Sequence, residues 1–379
     1  MELDYKRISG IVGIPQDELQ TLCEEWFASK KSKSIGSLVV DLKLIATLSG
    51  LSVSSVSNFF NNKKGSLSKE KTNMLEKLIE VVGYIPSSAA KKLRSSHKMS
   101  IGFVFSLTSG TSTEYFVNIL RGLKREADKY GYFIDIYDIK EDQREEFFAE
   151  PPFIGLVDGL IIVASVVNSE QLTPLIKRNI PVVLINPLTK EIYPPVVAGI
   201  YSDATAFSQL LDHLFIDHTY KNPMLISVQL KNSAQRLEKY NMFVKAVRDN
   251  GIDFSETKHV VFVSSHSFSE SMRAYDIAKE KNPDADVFVC LTDTLAVPFV
   301  RGLEKDKKKV AVTGYANFEI AQVFDLTTIE QNIQLLGSKA FQHLFFSMQY
   351  IQRHNTFPEY SEEMILGEFI RRSSCGCAE

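Results

Sequence analysis

No run of about 18 apolar residues occurs in this 379-residue chain, so a membrane-spanning helix is not expected. The opening, MELDYKRISGIVGIPQDELQ, has no apolar core behind a basic start. It therefore predicts no secretory signal and a cytoplasmic protein. Only four cysteines are present, Cys23, Cys290, Cys375 and Cys377, too scattered for a disulfide framework, and reduced thiols are expected. Cys375-Gly-Cys377 offers two thiolates where a structural zinc takes four ligands, and it reads as a frayed tail. None of the seven histidines stands at metal or triad spacing with a nucleophile; His213, His218, His259 and His266 read as core or surface residues. Neither a metal nor a cofactor is expected. A phosphate loop of the G-x-x-x-x-G-K type is missing, as is any repeat of solenoid period. With no nucleophile–base set, an enzyme is not expected.

What is present begins with uneven charge. The net charge of −3 hides a basic stretch: residues 38–98 hold ten Lys/Arg against four acids, a balance of +6. The first 37 residues balance at −1 and the rest of the chain at −8. A basic segment on an acidic body suggests a polyanion partner for that segment. Before it, PQDELQTLCEEWF sets Leu19, Leu22, Cys23, Trp26 and Phe27 on one helical face, with Pro15, Asp17 and Glu18 suited to a helix start. Asp17, Glu18, Glu24 and Glu25 on that helix would repel phosphates, so residues 1–37 read as a docking extension and linker.

Residues 38–86 read as three helices. The first, DLKLIATLSG, turns Leu42, Ile45 and Ala46 inward and stops at Gly50, a residue able to take the left-handed backbone of a helix end. The second, SVSSVSNFF, has Ser52 where an N-cap belongs and Val56, Phe59 and Phe60 facing inward. Val53, Ser54, Ser55, Ser57, Asn58 and Asn61 would face outward. A helix with a small, polar outer face after a glycine turn is what a helix-turn-helix needs to enter a major groove. The third carries Leu75, Leu78, Ile79 and Val82 and ends at Gly83 and Pro86. SSAAKKLRSS, within residues 87–98, reads as a hinge.

From Met99 the texture becomes alternating strands and helices. MSIGFVFSL, YFIDIYDI, VDGLIIVAS and IPVVLIN read as strands, and the rhythm restarts after Tyr201 with PMLISV, VVFVSS, ADVFVCLT and KVAVTGYA. Repeated strand–helix alternation predicts parallel sheet covered on both faces, hence two α/β lobes over residues 99–373, with a tail at 374–379.

The segment from VVDLKLIATLSG to MSIGFVF resembles the start of the lactose/galactose repressor (LacI) family of bacterial transcription regulators. The matching residues are Ala46, Gly50, Leu51, Ser52, Ser55, Val56, Ser57 and Asn61, then Gly83, Tyr84, Pro86, Ala89, Ala90, Leu93, Ile101 and Gly102. The likeness continues to LTTIEQN and FIRRS, spanning residues 38–373.

The resemblance implies a homodimeric repressor of a pseudo-palindromic, double-stranded operator, with a core like that of periplasmic binding proteins and a small sugar-like effector between its lobes. Val53, Ser54 and Asn58 then hold the base-reading positions, Leu93 is the minor-groove wedge of the hinge, and Tyr84 and Ala90 are further DNA-binding positions. Lys63, Lys64, Lys91, Lys92 and Arg94 become phosphate contacts. Asn in place of a frequent Arg at position 58 implies a preference for adenine over guanine. The effector positions map to Ser106, Asn186, Lys239, Phe268, Thr292, Asp293, Ala316 and Gln331. Ala316 stands where a sugar-gripping Asp is usual, so a plain hexose fits poorly; Lys239 with Arg236 nearby suits a phosphorylated or other anionic ligand. The alternatives are a small-molecule binding protein and a regulator with a vestigial pocket answering to a protein partner.

Overall fold

In the computed structural model, which describes residues 4–29, 42–60, 67–82, 98–107, 112–149, 151–163, 170–187, 194–230 and 233–377, the N-terminal helices share one core. The chain divides into two units, Met1–Ser96 and His97–Glu379. In the first, α1 (Tyr5–Val12) and α2 (Gln16–Ser29) precede α3 (Leu42–Ser49), α4 (Val53–Phe60) and α5 (Lys69–Val82). Asp4 caps α1 by accepting from the Arg7 N–H, and Gly13 ends it at φ 75°. Gly50 takes φ 63° between α3 and α4, which lets the chain reverse with no Cβ in the way. The Ser52 hydroxyl accepts from the Ser55 N–H at 3.1 Å, capping α4.

Residues 1–37 read as a docking extension and linker, and the described helices among them dock into this unit's core. Ile8, Leu19 and Cys23 are fully buried in one cluster with Leu44, Ile45, Leu48, Val56, Leu75, Leu78 and Val82.

The second unit holds two parallel sheets. The first has six strands in the order β11-β5-β4-β3-β1-β2: β1 (Ser100–Phe105), β2 (Phe133–Asp138), β3 (Gly159–Val163), β4 (Val182–Ile185), β5 (Val196–Ser202) and β11 (Ser361–Ile365). The second has four, β7-β6-β8-β9: β6 (Pro223–Val228), β7 (Val260–Val263), β8 (Val287–Cys290) and β9 (Ala311–Thr313). An antiparallel pair, β10 (Thr328–Glu330) and β12 (Glu368–Ile370), extends the second sheet through bridges at Thr313–Thr327 and Ala316–Glu330. β1, β3, β4, β6 and β8 are buried along their whole length, the pattern of strands covered on both faces.

Among the covering helices are α6 (Thr113–Lys129), α7 (Arg144–Ala149), α8 (Thr173–Ile176), α9 (Thr205–Asp212), α10 (Ala234–Asp249), α11 (Glu256–His259), α12 (Phe268–Lys281), α13 (Asp293–Asp306), α14 (Glu319–Val323) and α15 (Ile333–His354). The chain passes between lobes near residues 203, 331 and 366, since α15 and β11 return to the first sheet after β10 and β12 completes the second. The tail read as frayed is packed as far as it is described. Cys375 is fully buried, and the Ser374 hydroxyl accepts from the Thr327 N–H and donates to the Val312 carbonyl.

Candidate functional site

In a parallel sheet the carboxyl ends of the strands are where ligands bind. The two sheets present theirs to a common cleft. Val163 and Asn186 close β3 and β4 in one lobe; Leu291, Thr292, Tyr315 and Ala316 follow β8 and β9 in the other. Tyr115 of α6, Ser233 to Arg236 and Lys239 of α10, His266, Phe318 and Gln331 complete the walls, enclosing about 110 Å³.

The charge of this cleft has one sign. Lys239 is buried, with its ammonium 4.1 Å from the centre of the Tyr315 ring. Burial pulls its pKa down to about 8, and burial also lowers that of Arg236. Among the described residues that line the cleft there is no carboxylate. The first turn of α10 points the same way: Ser233 caps it by accepting from the Arg236 N–H, and Ala234 and Gln235 line the wall. A helix N-terminus beside an ammonium and a guanidinium is an anion-binding arrangement.

Uncharged groups fix the opposite wall. Asn186, held at φ 54°, donates to the Tyr115 hydroxyl at 2.7 Å and accepts from the Ser202 N–H at 2.8 Å. Burial pushes both the Tyr115 and Tyr315 phenols up, and the Gln331 side chain hydrogen-bonds Tyr315.

Of the effector residues predicted from sequence, the structure brings together Asn186, Arg236, Lys239, Thr292, Ala316 and Gln331 on this cleft. It leaves out three. Phe268 is the first residue of α12, 59% exposed; His266, just before that helix, lines the wall instead. Ser106 is buried at the end of β1 without reaching the cleft. Asp293 is fully buried behind it, accepting from the Phe318 N–H at 2.8 Å and the Thr328 hydroxyl at 2.6 Å. Its backbone N–H donates to the Tyr315 carbonyl. Asp293 thus braces the loop that carries Tyr315 and Ala316, and Ala316 needs bracing because it sits at φ 107°. Sequence reasoning missed Tyr115, Ser233, His266 and Tyr315; the position of each directly after a strand or at a helix start was the available signal.

In the first unit, Ser54 and Asn58 lie one turn apart on the face of α4 opposite buried Val56. Ser54 is exposed, and Ser55, Ser57 and Asn58 are half-exposed. Val53 differs from expectation: it lies on the flank of the buried stripe and packs against the core. Asn61, Lys63, Lys64, Tyr84, Ala90, Lys91, Lys92, Leu93 and Arg94 lie outside the described residues, as does nearly all of the predicted hinge.

Comparison with known proteins follows this division. The family of periplasmic binding proteins and LacI-family sugar-binding domains matches residues 98–365. The chain belongs to the LacI family. Its similarity extends through the helical unit: the HTH-type transcriptional repressor PurR of Mannheimia succiniciproducens is 23% identical over 347 residues, covering 87% of this chain and 98% of that protein. The HTH-type transcriptional regulator KdgR of Bacillus subtilis is 28% identical over 196 residues, covering 47% and 56%. The Lac repressor bound to ONPG has the same fold, with a TM-score of 0.70 and 16% identity over 89% of this chain and all of that one. As a LacI-family member the chain is a transcriptional regulator rather than an enzyme. Among the described residues no helix is long and apolar enough to cross a membrane.

Proposed function

We propose that this LacI-family regulator represses transcription as a homodimer. The helix-turn-helix of α3 and α4 binds a pseudo-palindromic operator, and a small anionic metabolite in the cleft changes operator affinity. The observation that carries the ligand class is the buried ammonium of Lys239 beside Arg236 and the first turn of α10, with no carboxylate among the described lining residues. A neutral sugar would bring the buried Lys239 ammonium no countercharge, whereas an anion would. A sugar phosphate or sugar acid offers hydroxyls to Asn186, Thr292 and Gln331 and an anion to Lys239. Closing the lobes on such a ligand would shift two reading heads relative to each other, the hinge-type switch open to a two-lobed dimer.

On the DNA side, Ser54, Ser55, Ser57 and Asn58 supply small polar groups, and Asn58 reads adenine. Asn61 follows them, Lys63 and Lys64 neutralise phosphates, Leu93 wedges the minor groove, and Tyr84 and Ala90 are further DNA-binding positions. Relatives support a ligand-binding, operator-binding dimer, though not the charge of the ligand: a LacI-family regulator of Enterococcus faecium has been solved with ribose, and a Lac repressor dimer with its operator.

The test is selection of bound duplexes from a random pool by the full-length protein, followed by salt titration. A palindromic consensus whose affinity falls steeply with salt is expected. Sugar phosphates should then change that affinity and raise the melting temperature, and neutral sugars should not. Enrichment of no duplex over random DNA would sink the operator; equal response to neutral sugars would sink the anionic ligand.

A further inference from the structure

Four side chains that play no part in the cleft or the reading head converge at the far end of the chain. Residues 213–217 continue α9 as one π-helical turn, with the His218 N–H donating to the His213 carbonyl. On an α-helix a residue five along is rotated about 140° away. The wider π-turn brings it back, and the His213 and His218 rings meet with 4.6 Å between centres. Single π-turns recur at functional sites. Opposite them is Cys375-Gly-Cys377. Gly376 takes φ 94°, and a Cβ there would come 2.6 Å from the Tyr220 hydroxyl, so this turn between the thiols admits only glycine. The Tyr220 hydroxyl donates to the Cys375 carbonyl at 2.7 Å, and its ring stacks on His218.

The ligand atoms of His213, His218, Cys375 and Cys377 all lie within 4.8 Å of one another. The two Nε2 atoms are 3.1 Å apart. Cys375 Sγ is 3.5 Å and Cys377 Sγ 3.4 Å from His213 Nε2, and Cys377 Sγ is 3.3 Å from His218 Nε2. A tetrahedron with zinc's usual bonds to nitrogen and sulfur has edges of about 3.3 Å between nitrogens and about 3.6 Å between nitrogen and sulfur. The four measured edges fall within about 0.3 Å of these values.

Tautomer chemistry agrees. His213 Nδ1 lies 2.8 Å from the Asp217 carboxylate, which accepts a hydrogen bond from the Nδ1–H and so favours the tautomer whose Nε2 lone pair faces the cluster. A surface cleft bounded by His213, Asp217, Phe369 and Arg371 gives an approach.

We propose that these residues form a structural Cys₂His₂ zinc site that fastens the end of the chain to the helix entering the second lobe. Two thiolates balance the charge of Zn²⁺, and binding releases their two protons to solvent. Four protein ligands leave no open position, so the site stabilises rather than catalyses.

The test uses full-length protein without a histidine tag, kept reduced. Elemental analysis should find one zinc per chain after gel filtration. Cobalt(II) exchanged into the wild type should give thiolate-to-cobalt charge transfer and the intense visible bands of tetrahedral coordination. Cys377→Ser should lose both, and Asp217→Asn should weaken zinc about ten- to a hundred-fold. Chelation should lower the melting temperature of the wild type and not of Cys377→Ser. Octahedral cobalt without charge transfer in the wild type, or unchanged zinc content in a folded Cys377→Ser, would overturn the proposal. The wild-type cobalt spectrum decides even where a variant fails to fold.

Discussion

Lys239 carries an ammonium that the apo cleft disfavours. Its folded pKa of about 8 lies below the ordinary lysine value of 10.5, so the charged form is destabilised on folding. The difference is about 3 kcal/mol near neutral pH. That penalty shrinks as pH rises from 8 towards 10.5, because there the folded lysine is neutral while the unfolded one still holds its proton, so unfolding takes up a proton that grows scarcer. Lys239→Met should therefore raise the melting temperature at pH 7, with a gain that fades near pH 10, while weakening anionic ligands about ten-fold or more. A variant no more stable than wild type at pH 7 would show that the ammonium is already compensated. Asp293 has the opposite sign. Burial raises its carboxyl to about 6 from 3.8, so its favourable contribution is complete below 3.8 and is lost as pH rises through 6. In Asp293→Asn the amide keeps one acceptor for the Phe318 N–H and donates to the Thr328 hydroxyl. Urea midpoints should show the wild type gaining on this variant as pH falls from 6 towards 4, by up to about 3 kcal/mol. A difference that is flat with pH would refute the burial argument. Asp293 was legible as an important residue, yet its role was not, because facing the cleft and bracing its loop are alike in sequence.

At the scale of elements, the helices α3 to α5 were legible because their signals are local: a glycine turn, a serine cap and apolar stripes of helical period. The strands β1, β3, β4, β6 and β8 were legible as buried apolar runs. The strands β5 and β11 and the long helix α15 carried no motif, and their places depend on partners far along the chain. α15 shows what sequence conceals. It crosses α6 at a pair of glycines, where a Cβ on Gly122 would fall on the Gln334 carbonyl and one on Gly337 on the Ile119 carbonyl. Neither glycine has unusual backbone angles, so only the close approach explains them. Gly337→Ala should force the helices apart and destabilise the second unit by about 2 kcal/mol or more, read as a lower urea midpoint. An unchanged midpoint would mean that the crossing adjusts freely. The His213–Cys375 cluster was hidden for the same reason, its halves 162 positions apart in sequence and one of them on a π-turn that helical periodicity does not anticipate.

For the whole molecule, the first 29 residues bear on which unit does what. Their acidic second helix argues against DNA contact, yet Ile8, Leu19 and Cys23 are fully buried in one cluster with Leu44, Ile45 and Val56. Burial of three such side chains is worth roughly 5 kcal/mol. That is comparable with the whole stability of a small domain, about 5–15 kcal/mol. Deleting residues 1–29 should therefore unfold the helical unit, abolish operator binding and remove one thermal transition. The second unit has its own cores, so the shortened protein should keep its melting-temperature response to anions. If α1 and α2 instead touched DNA, the shortened protein would stay folded and bind operator with a shallower salt dependence, because fewer phosphates would be neutralised. Near-full operator affinity after deletion would show that α3, α4 and α5 stand without their cover. The exposed stripe left behind, Leu44 and Ile45 on α3 with Leu75 and Leu78 on α5, argues that they do not.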